Sequence, residues 1–310
     1  MPLDPKVKKL IEIKGFETNP KMDMKTVRKL NSAKTEFIKN NYPLLIEKIF
    51  NIEDLEISLK ERKINVRIYK NNKNNNCPLI MYFHGGGWVH GDLDSSDSLC
   101  RSLAVRTNAV IVSVEYRLAP EIPFPGAVWD CYDAMVWAIH EKKYLGVNPK
   151  NIVVSGTSAG GNLAGAVSML SRDKKYPEIS HQILLCPVIN CDTNLESYQK
   201  YGDGTYGLST DVVNDFWDKY TQNKQDKNNA YAALDINTNF VGLPTTTSVI
   251  AEYDCLRDEA TNYANLLKLN RINSDFKIFY GMNHGFNQQL GIIDEAEEAL
   301  NYICKRMAFN

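Results

Sequence analysis

Residues 152–160, Ile152-Val153-Val154-Ser155-Gly156-Thr157-Ser158-Ala159-Gly160, decide how the rest of the chain is read. The run Ile152–Ser155 is short, β-rich and apolar, as in a buried strand. The stretch GNLAGAVSMLS that follows Gly160 has helical spacing, so a helix is expected over Ala159–Leu170. Between strand and helix stands Gly-Thr-Ser-Ala-Gly, a G-x-S-x-G pattern. Small residues on either side let the backbone turn sharply and push the Ser158 hydroxyl out of the bend. The Ala159 amide, at the start of a helix, is placed to donate to a developing negative charge.

Working outward, the same strand character recurs at Glu56–Leu59, Ile64–Tyr69, Pro78–Phe83, Ala109–Tyr116, Ile183–Cys186, Ser248–Glu252 and Phe276–Tyr280. Helical windows fall between them at Ser96–Thr107, Ala127–His140, Asp258–Leu269 and Ile293–Arg306. Such alternation predicts an α/β fold, a mostly parallel sheet covered by helices on both faces. Ligands of such sheets bind beyond the carboxyl ends of the strands. The polar run Asn71–Asn76 between two strands reads as a solvated hairpin loop. Two segments break the alternation. Residues 1–50 read as two or three amphipathic helices, and residues 192–240 form a polar insertion bearing Tyr198, Tyr201, Tyr206, Phe216, Trp217 and Tyr220. Long insertions in compact domains are often functional, and together these two are expected to form a lid.

Two further motifs sit at strand ends. His84-Gly85-Gly86-Gly87-Trp88 directly follows the strand ending at Phe83, and its glycines let backbone N–H groups approach a ligand, as an oxyanion hole requires. No Lys-Ser/Thr follows and the spacing is not G-x-G-x-x-G, which argues against a phosphate loop. Tyr116-Arg117-Leu118-Ala119-Pro120-Glu121 follows the next strand and is expected to lie beside the glycines. A serine nucleophile needs a base, and the base needs an orienting carboxylate. With this kind of elbow the chain order is serine, acid, histidine, which leaves His181 and His284 of the five histidines. His284, in Gly281-Met282-Asn283-His284-Gly285-Phe286 after the last strand, is the expected base; His181 lies at a strand start without a suitable acid before it. Asp254 leaves the end of the preceding strand and is the expected acid, whereas Asp258 falls inside the next helix and Glu252 within the strand.

His84–Trp88, Tyr116–Glu121, Gly156–Ala164, Asp254–Glu259 and His284–Phe286 together resemble the hormone-sensitive-lipase-like carboxylesterases of the α/β-hydrolase fold. The resemblance covers roughly residues 50–310. It implies an eight-stranded, mostly parallel sheet flanked by helices, with a helical cap made by residues 1–50 and 192–240 over a catalytic domain of residues 51–191 and 241–310. It also implies Ser158 as nucleophile, Asp254 as acid, His284 as base, and Ala159 with two of the Gly85, Gly86 and Gly87 amides as oxyanion donors. Thr157 stands where many relatives carry Asp, and Cys255 where Pro is common; a thiol beside the acid is expected to make the site sensitive to bulky alkylating reagents.

The activity implied is hydrolysis of short to medium acyl-chain esters through an acyl-enzyme, with no metal or organic cofactor. An amidase or arylformamidase on the same scaffold is the nearer alternative, and a ligand-binding receptor the more distant one, since receptors of this fold lack the triad histidine that His284 supplies here. Composition agrees with a small-molecule partner. The chain has 310 residues, with 36 Lys and Arg against 37 Asp and Glu, and the resulting net charge of −1 offers no general field for nucleic acid or anionic membrane. Mean hydropathy of −0.34 and the lack of any apolar run long enough to span a bilayer argue against a membrane protein. The N-terminus does not read as a signal peptide, and seven cysteines without a CxxC pair suit free thiols in a reducing cytoplasm. A homodimer, through the edge strand Phe276–Tyr280 or the cap, is a further expectation from the resemblance.

Overall fold

The computed structural model describes residues 1–16, 18–19 and 22–307, so three positions of the 1–50 segment and the last three of the chain lie outside it. The apolar runs form eight strands: β1 (Asn51–Leu59), β2 (Arg62–Lys70), β3 (Cys77–Phe83), β4 (Val110–Glu115), β5 (Val147–Thr157), β6 (His181–Leu185), β7 (Thr245–Tyr253) and β8 (Ser274–Asn283). They make one sheet in the order β1-β2-β4-β3-β5-β6-β7-β8. The β1/β2 and β2/β4 pairs are antiparallel and every later pair is parallel. Asn71–Asn76 is therefore not a hairpin loop. β4 lies between β2 and β3, and the hairpin is the two-residue turn at Lys60 and Glu61 that joins β1 to β2. Both connections carry polar residues, and nothing local marks which strands become neighbours.

Alternation within each strand feeds two cores. Leu79, Met81 and Phe83 of β3 face one core, Ile80 and Tyr82 the other. Helices α4 (Gly126–His140), α6 (Ala159–Lys174) and α10 (Arg257–Leu269) cover the first face; α3 (Asp97–Thr107) and α11 (Asp294–Arg306) cover the second. A short α5 (Lys142–Leu145) leads into β5. Residues 1–50 carry α1 (Pro5–Ile11), capped by the Asp4 carboxylate, and α2 (Met24–Asn41); the insertion carries α7 (Glu196–Tyr201), α8 (Thr210–Tyr220) and α9 (Lys224–Lys227). Parallel strands β3 to β8 point their carboxyl ends to one side of the sheet, which brings the loops after β3, β5, β7 and β8 together.

Candidate active site

Ser158 directly follows β5 and sits at φ 59° and ψ −119°, a strained conformation for a residue with a Cβ. Its neighbours explain how the bend survives. A Cβ at Gly160 would stand 1.9 Å from the Phe83 carbonyl oxygen, and one at Gly156 2.2 Å from the Gly160 oxygen. Glycine at both positions lets α6 press against the ends of β3 and β5. The Ser158 amide donates to the Leu185 carbonyl at 2.8 Å, and the Asn162 amide donates to the Ser158 carbonyl at 3.1 Å, so the turn is fastened on both sides.

Asp254 is the first residue after β7 and His284 the first after β8. The His284 Nδ1–H donates to Asp254 Oδ2 at 2.7 Å, because an ionised carboxylate only accepts. That tautomer leaves Nε2 as the acceptor of the Ser158 hydroxyl, 2.9 Å away. The other Asp254 oxygen accepts the Leu256 amide at 2.9 Å, which keeps the carboxylate from swinging away. The rivals are occupied elsewhere: Asp258 accepts the Ser197 amide and pairs with Arg257, and Glu252 accepts the Gly281 amide. Of the remaining histidines, His140 is exposed at the end of α4, and His181 is buried against the Thr247 hydroxyl, with burial pushing its imidazole down to about 4.

The glycine loop turns above Ser158. Gly86 and Gly87 have φ of 117° and 59°, and the Gly86, Gly87 and Ala159 amides donate to no protein acceptor among the described residues. His84 is wholly buried, stacked on Tyr116 with ring centroids 4.1 Å apart, and the Tyr116 hydroxyl donates to the His84 carbonyl at 2.9 Å. Burial holds the His84 imidazole below its ordinary range and therefore neutral; its Nδ1–H donates to the Gly85 carbonyl at 2.8 Å. The Tyr116–Glu121 loop does lie beside the glycines, its Ala119 amide donating to the Trp88 carbonyl at 2.9 Å.

A cavity of about 550 Å³ opens onto Ser158 and His284. Leu10, Phe16 and Ile38 from the N-terminal segment and Leu208, Phe216 and Trp217 from the insertion line it. Phe216 lies so close to Gly87 that a Cβ there would stand 2.1 Å from its ring.

Residues 80–288 match the family model of the alpha/beta hydrolase fold. An arylesterase of Saccharolobus solfataricus is 33% identical over 85% of this chain and 85% of its own length. The carboxylesterase NlhH of Mycobacterium tuberculosis is 34% identical over 72% and 71%. A solved hyperthermophilic esterase from Pyrobaculum calidifontis superposes with a TM-score of 0.94 at 34% identity, covering 99% of this chain and 98% of that one. The chain belongs to the hormone-sensitive-lipase-like carboxylesterases.

Several features of this carboxylesterase escaped the sequence. Thr157 Oγ1 accepts Asn287 Nδ2 at 2.9 Å and lies 2.9 Å from the Tyr82 hydroxyl, a buried network behind the elbow that occupies the place of the more usual Asp. Arg28 of α2 reaches the loops after β3 and β4. Glu259 is buried with its oxygens on the Ile189 amide and the Tyr198 hydroxyl, tying α10 to α7; burial pushes its carboxyl well above the ordinary range. Cys255 is 1% exposed and burial raises its thiol, so the sensitivity to bulky alkylation expected of it does not fit its position. Among the described residues, the one group with metal-ligand character is Cys186, Asp254 and His284, whose donor atoms lie within 4.8 Å of one another. The 2.7 Å hydrogen bond between Asp254 and His284 leaves no space for an ion between them. No described helix is long and apolar enough to cross a membrane.

Proposed function

We propose that this carboxylic ester hydrolase works by acyl transfer through Ser158, with His284 as base, Asp254 as its orienting acid, and the Gly86, Gly87 and Ala159 amides as oxyanion donors. The observation that carries the reading is the unbroken chain Asp254–His284–Ser158, at 2.7 and 2.9 Å, beside the Gly86, Gly87 and Ala159 amides, which have no internal partner among the described residues. The Ser158 hydroxyl proton passes to His284 Nε2 as Oγ attacks the ester carbonyl. Negative charge then gathers on the carbonyl oxygen, where the amides meet it. Protonated His284, steadied by Asp254, returns the proton to the departing alcohol. Water repeats the sequence on the acyl-enzyme.

Residues 1–50 and 192–240 act as the cap over this site. Their shared walling of the 550 Å³ cavity supports that reading and favours soluble esters of short to medium acyl chain. Seven free thiols fit a cytoplasmic location, and the outer edge of β8 short of Gly281, where Asp4 bonds to it, is the surface for a homodimer, with Tyr280 exposed there. Sedimentation showing monomer alone at micromolar concentration removes the dimer.

The test is turnover of p-nitrophenyl acetate, butyrate and laurate by the wild type and Ser158→Ala. Rates that fall with chain length and disappear in the variant are expected. Equal rates on laurate emulsions remove the chain-length reading. Faster cleavage of matched anilides than esters turns the assignment to an amidase, and a folded wild type that turns over neither turns it to a receptor.

A further inference from the structure

A peptide unit is planar, so the Gly86 carbonyl and the Gly87 amide turn together. Whatever holds the carbonyl aims the N–H. The Gly86 oxygen accepts the Val89 amide at 3.1 Å and the His90 amide at 3.0 Å. That turn runs through Gly86, Gly87 and Trp88, all at positive φ, and so has little preference of its own for this shape. One side chain grips it from outside. Arg28 donates from Nε to the Val89 carbonyl at 2.8 Å and from Nη2 to the Ala119 carbonyl at 3.0 Å. Ala119 in turn donates to the Trp88 carbonyl at 2.9 Å, so the carbonyls of both residues after Gly87 are tied down through this guanidinium. Glu121 holds the far edge of the fork, accepting at 2.9 and 2.6 Å. A planar fork of five donors can reach all three acceptors at once; an ammonium on a flexible stem cannot. Arg28 is not among the residues that line the cavity.

We propose that Arg28 is a positioning residue for oxyanion stabilisation: it fastens the turn that aims the Gly87 amide, and so makes the chemistry depend on how α2 is seated. The proposal rests on reading Gly86, Gly87 and Ala159 as the oxyanion donors. Its test compares Arg28→Lys, Arg28→Ala and Glu121→Gln with the wild type, using p-nitrophenyl butyrate turnover and two inhibitors. A trifluoromethyl ketone forms a serine hemiketal whose oxyanion needs the amides; the matching secondary alcohol binds the cavity without one.

Arg28→Lys is expected to lower kcat about 10-fold with KM within about twofold, since small misplacements of reacting groups cost this much or more. The ketone should weaken by the same factor and the alcohol should not change. Glu121→Gln should show the same pattern at about a third of the effect, because its amide still offers one acceptor. Arg106→Gln, which removes a pair with Glu297 between α3 and α11, is the control for stability and should leave kcat unchanged. Unaltered kcat in Arg28→Lys, or equal weakening of ketone and alcohol, overturns the proposal. Should Arg28→Ala fail to fold, Arg28→Lys and Glu121→Gln still decide it. A wild type that binds the ketone no better than the alcohol overturns the oxyanion reading itself, a result distinct from an insensitive Arg28.

Discussion

At the floor of the cleft, Ser158, Asp254 and His284 each stand one residue beyond a strand, and their loops are pinned by backbone bonds a few ångströms from the strand ends. The cover above is held differently. Trp88 stacks on Tyr220 at 4.1 Å and meets Trp217 edge-on at 4.9 Å, all three about 1% exposed, and the Phe124 amide donates to the Tyr220 carbonyl. The floor is shaped by close backbone approaches at the strand ends, the cover by large aromatic surfaces packed on one another. A floor residue should therefore report on rate and a cover residue on stability.

Four changes break or sharpen that contrast. Ser158→Ala should lower kcat by about 10⁴-fold or more while leaving thermal unfolding near the wild-type temperature. Trp217→Ala should reverse the pattern, costing about 3–5 kcal/mol in denaturant unfolding because it empties a fully buried site, with a far smaller loss in rate per folded molecule. Gly87→Ala lies where floor and cover meet: the new methyl group strikes the Phe216 ring at a positive φ. A fall of about 10²–10³-fold in kcat/KM is expected. Adding Phe216→Ala should recover stability without recovering rate; recovery of both would mean that the loop was crowded rather than misaimed.

The smallest effect is electrostatic. Glu259 has a raised folded-state pKa, so the folded chain keeps its proton above pH 4.5 while the unfolded chain releases it, and stability declines as pH climbs through that window. Glu259→Gln should flatten the decline. Its melting temperature should exceed the wild type's increasingly as pH rises above about 4.5 and converge with it below that pH. An unchanged slope would show the carboxyl to be ionised in the fold.

The same division separates what was legible in the sequence from what was not. Gly156, Gly160 and the glycines after His84 announce close backbone approaches, and short β-rich runs announce buried strands, so the floor could be read residue by residue. β2 and β4 pair directly although β3 lies between them in sequence, and the Asn71–Asn76 loop gives no sign of it because its composition suits a hairpin equally well. Arg28 looks like one more basic residue on an amphipathic helix until its carbonyl acceptors are brought to it. Tyr82, Thr157 and Asn287 meet from three separate stretches, and each alone reads as core or loop.

The thiols of Cys77, Cys100, Cys131, Cys186 and Cys255 are buried in different parts of the fold, from the head of β3 and the helices on opposite faces to the loops after β6 and β7. Burial suppresses their ionisation, so in the native state they should be nearly inert to disulfide-exchange reagents. Each becomes reactive only when its own neighbourhood opens. The molecule thus carries a distributed set of chemical clocks, and the order in which they start on warming would map which parts of it come apart first.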